Sequence, residues 1–284
     1  MSRESFEQRL QQILAANRPL EYEQEEFACY EELYHFLEDY ACSHEYYNMA
    51  VALPLVRSLH NGTYRGWAAN GAKRQKMPYV NHCLVVCRLL LDLYIPLEKD
   101  EEDILYTAAL CHDLIGHGYE PELVEKLMKD YEMDPRVFDT VRYLQGREYH
   151  VETRQQESYE RIFRDRNRLA LLVKLSDSTC VIEQLYNAPM RTAKQYIYQI
   201  RHLQIPMCIR TKEVFPELYS AAGILMEKMR SLCDVAEILV DRYEAREREL
   251  YNEICALRDE NVAFRRSIQL LQEEEETNTK KAGL

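Results

Sequence analysis

Four ionisable residues stand where an apolar chain rarely carries them. His82 begins an apolar helical stretch, His112 and Asp113 close the most hydrophobic run, and Asp177 interrupts LLVKLSDST. Ionisable groups at such positions are costly unless they pair or bind a cation. Two imidazoles and two carboxylates converging from three helices make a mixed nitrogen and oxygen site. That ligand set suits a borderline divalent ion such as Mn²⁺, Fe²⁺, Co²⁺ or Zn²⁺ rather than Ca²⁺. Four protein ligands on an octahedral ion leave two positions, one for water and one for a phosphate oxygen. The ion can then activate the water and polarise the phosphoryl group together. Taken singly, each residue says little, because a His-Asp pair arises by chance and a buried Asp can cap or pair.

Other residues could serve the same chemistry. Lys73, Arg74 and Lys76 form a candidate anion clamp, the alternative being a solvated basic loop. His117 could act as general acid or base, since imidazole titrates near neutral pH. Its neighbours Gly116 and Gly118 would let the backbone approach a substrate closely. The bland alternative is that Gly-His-Gly ends a helix and leaves His117 exposed. Cys83, Cys87 and Cys111 lie beside the histidines, but their spacing fits small core residues better than a zinc-thiolate site. Tyr143, Tyr149 and Tyr159 read as packing residues.

The elements that must position these side chains read as helices. Only eight glycines and nine prolines occur in 284 residues, too few for many short strands. Strand-type alternation is nowhere sustained. Expected helices are Val51 to His60, stopped by Asn61-Gly62, then Val80 to Tyr94 and Ile104 to Leu114. The last of these is apolar enough to be buried nearly all round. Glu122 to Tyr131, Asp134 to Leu144 and Tyr159 to Tyr186 continue the series. Ahead of them, two acidic helical stretches are expected, one marked by Phe6, Leu10, Ile13 and Leu14 and one from Glu25 to Tyr40. Near the end, Leu250, Ile254, Leu257, Asn261, Phe264, Ile268 and Leu271 recur at alternating four- and three-residue steps. That is a heptad seam of three repeats, with Asn261 at a position that tends to fix register and partner number. Leu225, Met229, Leu232, Ala236, Leu239 and Tyr243 share the rhythm, with a phase slip near Arg246. The helix could associate with a second copy or fold back on its own domain. The expected organisation is a helical extension over 1–49, a main domain over 50–205, and C-terminal helices over 206–284 whose tail frays after Glu276.

Bulk properties narrow the function. The net charge of −12, with no long basic run, argues against binding a nucleic-acid polymer. A local cationic pocket for one nucleotide remains compatible with it. Nine cysteines, an odd number with no CxxC pair, suit reduced thiols in a cytoplasm. The first residues lack a signal-peptide core, and no apolar run reaches the ~20 residues that span a bilayer. A soluble, cytoplasmic protein is expected.

The order of the four candidate ligands resembles the HD phosphohydrolase pattern: His, then His-Asp about thirty residues on, then a later Asp on another helix. The chain looks closest to the hydrolase domain of the RelA/SpoT stringent-response family, which removes the 3′-pyrophosphate from guanosine alarmones. KRQKMPYVNHCLVVCRLL (73–90) resembles that family's basic pair, Pro-Tyr and first metal histidine. YTAALCHD (106–113) resembles its second ligand helix, LALLVKLSD (169–177) its last, and RSLHNG (57–62) the end of its opening helix. The resemblance covers about residues 50–205. It implies an all-α HD-domain bundle, His82, His112, Asp113 and Asp177 as metal ligands, and Lys73 and Arg74 on the nucleotide. The chain also departs from the family. Its water-activating Glu-Asp pair is replaced here by Gly116 and His117, and an asparagine expected after the final Asp is Val181. Alarmone hydrolysis by the usual route is therefore not expected, nor alarmone synthesis, since no synthetase-like region follows. The first expectation is a metal-dependent phosphohydrolase acting on a nucleotide or other small phosphorylated metabolite. The second is a non-catalytic, metal-containing nucleotide sensor or scaffold that assembles through its C-terminal helix.

Overall fold

The computed structural model describes residues 28–65, 77–115, 119–145, 151–183, 185 and 188–282. The expected first helix around Phe6 to Leu14 lies outside them. The fold is all-α, as the sequence pattern predicts. In chain order the helices are α1 (Ala28–His44), α2 (Tyr47–Leu59), α3 (Tyr79–Leu91), α4 (Lys99–Cys111), α5 (Pro121–Asp130) and α6 (Pro135–Leu144). They continue with α7 (Val151–Arg164), α8 (Arg168–Glu183), α9 (Met190–Gln199), α10 (Ile205–Val214) and α11 (Tyr219–Ala282). One short antiparallel pair, β1 (Tyr64–Arg65) with β2 (Met77–Pro78), leads into α3. A π-helical turn, Ile200–Gln204, joins α9 to α10.

Helix α4 is the hub, packed by α2, α3, α6 and α8. Every residue from Asp103 to Cys111 is buried, as the unbroken apolar run predicts. Helix α2 is buried continuously from Met49 to Val56. In α8 only Lys174 and Asp177 break the buried run from Leu169 to Ile182. Helices surrounded on all sides cannot show amphipathic periodicity, which is why these segments read as apolar blocks. Local chemistry sets their starts. Pro121 and Pro135 occupy first-turn positions that need no N–H, and Asp134 accepts from Arg136 N–H at 2.9 Å. Gly62, at φ +72°, follows α2 in the expected left-handed stop.

Several boundaries differ from expectation. The single helix from Tyr159 to Tyr186 is two helices, α7 and α8, broken at Asp165-Arg166-Asn167. Arg166 adopts φ 56° there, and Asn167 Oδ1 accepts from Ala170 N–H at 2.9 Å to cap α8. The helix expected to run to Tyr94 ends at Leu91. Helix α11, expected to lose its order after Glu276, is assigned through Ala282.

The chain divides into two compact units, one ending at Ala236 and the other running from Glu237 to Leu284. Within the first, Ala222, Leu225, Met229 and Cys233 on α11 are fully buried. Leu225, Met229 and Ala236 of the earlier seven-residue rhythm are thus core of the first unit, which extends past residue 205, whereas Tyr243 is exposed in the second. The second unit is the remaining length of α11. It exposes Leu250, Ile254, Leu257, Phe264, Ile268 and Leu271.

Candidate metal centre

Helices α3 and α8 both pack on α4, and the site forms where their polar exceptions meet. His82 lies in the first turn of α3. His112 is the C-terminal cap residue of α4, with Asp113 in the turn that follows. Asp177 projects from the middle of α8. His82 Nε2 and His112 Nε2 lie 3.2 Å apart. Asp113 Oδ2 stands 3.2 Å from His112 Nε2 and 3.7 Å from His82 Nε2. Asp177 Oδ1 stands 3.0 Å from His82 Nε2 and 3.7 Å from His112 Nε2. The ligand atoms of His82, His112 and Asp113 all lie within 4.8 Å of one another, and Asp177 meets both imidazoles of that group.

These separations match a shared cation. Nitrogen and oxygen ligands bind first-row divalent ions at about 2.1 Å, so neighbouring ligand atoms sit about 3.0–3.4 Å apart. The imidazoles are buried, with side chains 1% and 3% exposed, whereas Asp113 and Asp177 are 18% and 28% exposed. A small solute could therefore approach from the carboxylate side. Hydrogen bonding also prepares the ligands. His112 Nδ1 lies 2.7 Å from the Ala109 carbonyl, which can only accept. The proton must then sit on Nδ1, leaving the Nε2 lone pair turned toward the other three groups.

The electrostatics favour positive charge at this point. Burial alone would lower the His112 pKa, yet Asp113 and Asp177 outweigh it and push the imidazole up to about 10. Burial would raise both carboxyls, but the facing imidazoles hold Asp113 and Asp177 far below the usual carboxylate range. Two carboxylates and two ring nitrogens thus bind either protons or a cation, and a divalent ion satisfies all four at once.

Around this cluster lie residues that the sequence pattern did not single out for a role. Tyr79, the first residue of α3, donates from its hydroxyl to Asp113 Oδ2 at 2.6 Å. Its ring stacks near His60, centroids 4.9 Å apart. Pro78 precedes it, so the Pro-Tyr dipeptide was the available signal. Gln145 Nε2 reaches the His112 carbonyl at 3.4 Å. Behind Asp177, Ser178 meets Gln204 of the π-helical turn at 3.4 Å, and Gln204 donates to Gln155 at 2.7 Å.

Lys73, Arg74 and Lys76 of the expected anion clamp and the expected general acid-base His117 lie outside the described residues. Cys83, Cys87 and Cys111 are buried thiols. Burial pushes Cys111 up to about 12 and Cys87 higher still, which suits small core residues rather than zinc thiolates. Tyr159 is fully buried, and the Tyr143 hydroxyl donates to Asp165 at 3.1 Å, so both serve packing and local bonding. No family model matches the chain, and neither a curated protein nor a solved structure was found similar to it.

Proposed function

We propose that this protein is a metal-dependent phosphohydrolase of the HD type, acting on a nucleotide or another small phosphorylated metabolite. The observation that carries the reading is the meeting of two imidazole nitrogens and two carboxylate oxygens at 3.0–3.7 Å from three helices. The likeness to the RelA/SpoT-type hydrolases supports it through the same four residues and their flanking sequence. His82, His112, Asp113 and Asp177 would hold a borderline divalent ion, with Mn²⁺ the first candidate. When bound, such an ion lowers the pKa of a water and polarises a phosphoryl oxygen. The buried imidazoles fix its position, while the partly exposed carboxylates leave an approach for substrate. Lys73 and Arg74 would steady the anion, and His117 would move a proton to the leaving group. The free thiols of the described cysteines and the absence, among the described residues, of any helix fit to cross a membrane accord with a cytoplasmic enzyme.

The test is a screen of nucleotides and phosphoesters with added Mn²⁺. Turnover should appear and should be lost in Asp113→Ala and Asp177→Ala. Replacement of the usual Glu-Asp pair by Gly116 and His117 favours a second reading, a metal-containing nucleotide sensor. Nucleotide binding without turnover, unaffected by His117→Ala, would establish the second reading and remove the first.

A further inference from the structure

The second unit is a helix with a row of large apolar side chains facing solvent. Leu250, Ile254, Leu257, Phe264, Ile268 and Leu271 are each between 41% and 67% exposed. Their alternating spacing places Ile254, Asn261 and Ile268 at heptad position a, and Leu250, Leu257, Phe264 and Leu271 at position d. β-Branched residues at a with leucine at d favour two parallel strands, and a single asparagine at a fixes that register by pairing with its own counterpart.

The charges beside the seam point the same way. Position g carries Glu253 and Glu260, and position e carries Arg258 and Arg265. In a parallel, in-register pair each g residue faces the e residue five positions on in the other strand. Glu253 then meets Arg258, and Glu260 meets Arg265, each contact occurring twice by symmetry. Antiparallel strands would oppose g with g and e with e, setting Glu against Glu and Arg against Arg. None of these four side chains forms a salt bridge or hydrogen bond within the chain among the described residues. A second copy in parallel register offers all four a complementary partner.

We infer that residues 250–272 of two copies of this chain form a parallel, in-register, two-stranded coiled coil, with Asn261 paired across the seam and Glu253–Arg258 and Glu260–Arg265 bridging the strands. The inference is independent of the metal centre. Because the seam is exposed in the single chain, charged substitutions in it leave the fold of the first unit alone.

Sedimentation velocity of the full chain at micromolar concentration tests the inference. The wild-type chain should sediment at about twice its 33.8 kDa mass. Leu257→Glu with Ile268→Glu should sediment as a monomer with unchanged helical content. Glu253→Lys with Glu260→Lys sets Lys against Arg in the parallel register and should weaken association at least tenfold. A monomeric wild-type chain at tens of micromolar overturns the inference, whatever else that face binds, as does a trimer or tetramer. A dimer indifferent to the two lysines overturns the parallel register, since only that register pairs g with e.

Discussion

The Tyr79 hydroxyl donates a 2.6 Å hydrogen bond to Asp113 Oδ2, the same oxygen that stands 3.2 Å from His112 Nε2. The first turn of α3 thus supplies both His82 and the group that orients the carboxylate just past the end of α4. Groups that hydrogen-bond a metal ligand fix its direction, and losing one typically costs about ten- to a hundredfold in metal affinity. Tyr79→Phe keeps the ring beside His60 and removes only the hydroxyl. The expected result is Mn²⁺ affinity about ten- to a hundredfold weaker with little change in stability, read from the free-ion electron paramagnetic resonance signal. Unchanged affinity would show that Asp113 needs no such support.

Convergence of the four donor atoms predicts linkage between metal and stability. An ion that binds only the folded chain stabilises it by about 2.7 kcal/mol at a hundred times its Kd. For a chain of this size that raises Tm by roughly 5–10 °C. Mn²⁺ should produce this rise in the wild-type protein and not in His82→Ala or Asp177→Ala. A chain whose Tm ignores Mn²⁺, Fe²⁺, Co²⁺ and Zn²⁺ alike would exclude a metal centre here.

Asp103 makes a structural prediction away from that centre. Its carboxylate, on α4, accepts from the backbone N–H groups of Asn48 and Met49 at 3.0 and 2.8 Å and from Asn48 Nδ2 at 2.7 Å. It therefore caps the first turn of α2 from another helix. Asp103→Ala leaves those donors without their acceptor and should cost roughly 2–4 kcal/mol in urea unfolding. A loss under about 0.5 kcal/mol, the range of ordinary surface changes, would refute the capping role.

The same residue sets a pH dependence. Burial raises the Asp103 pKa, and the hydrogen bonds from Asn48, Met49 and Thr107 only partly offset it. A carboxyl raised in the folded state binds its proton more tightly there than in the unfolded chain. Its contribution is complete below the ordinary value of about 3.9 and fades as pH rises through the raised value. Asp103→Asn has no such proton, so the stability gap between wild type and this variant should widen as pH falls from 7 toward 4. A gap that narrows would reverse the assigned direction.

Much of the centre was legible because its residues violate their surroundings. An imidazole or carboxylate inside an apolar block is conspicuous, and α4 and α8 are such blocks. Helix ends were harder to read. Glu45, Glu132 and Arg166 follow α1, α5 and α7 at φ 55°, 52° and 56°. Each ends in a six-to-one bond, Tyr46 N–H to the Ala41 carbonyl, Met133 to Met128 and Asn167 to Ile162, at 2.9–3.0 Å. This closure usually carries glycine or asparagine in the left-handed position. Charged residues there give no stop signal, so α7 and α8 read as one helix. Tyr79 and Asp103 escaped notice for another reason. Their partners lie 34 and about 55 residues away, beyond any local pattern.

That strained closure yields the last prediction. A non-glycine residue in the left-handed region costs roughly 1–2 kcal/mol. Glycine removes the cost but gives back about 0.5–1 kcal/mol through the freer unfolded chain. Glu132 is exposed, and its backbone N–H bonds the Lys129 carbonyl at 2.9 Å, a contact glycine retains. Relief of the backbone strain in Glu132→Gly should therefore contribute roughly 0.5–1 kcal/mol of stability, offset by whatever interaction the side chain makes. Urea unfolding at neutral pH measures it against Glu132→Ala, which removes the same side chain and keeps the strain. A glycine variant no more stable than the alanine one would mean that the left-handed backbone costs no more than glycine gives back.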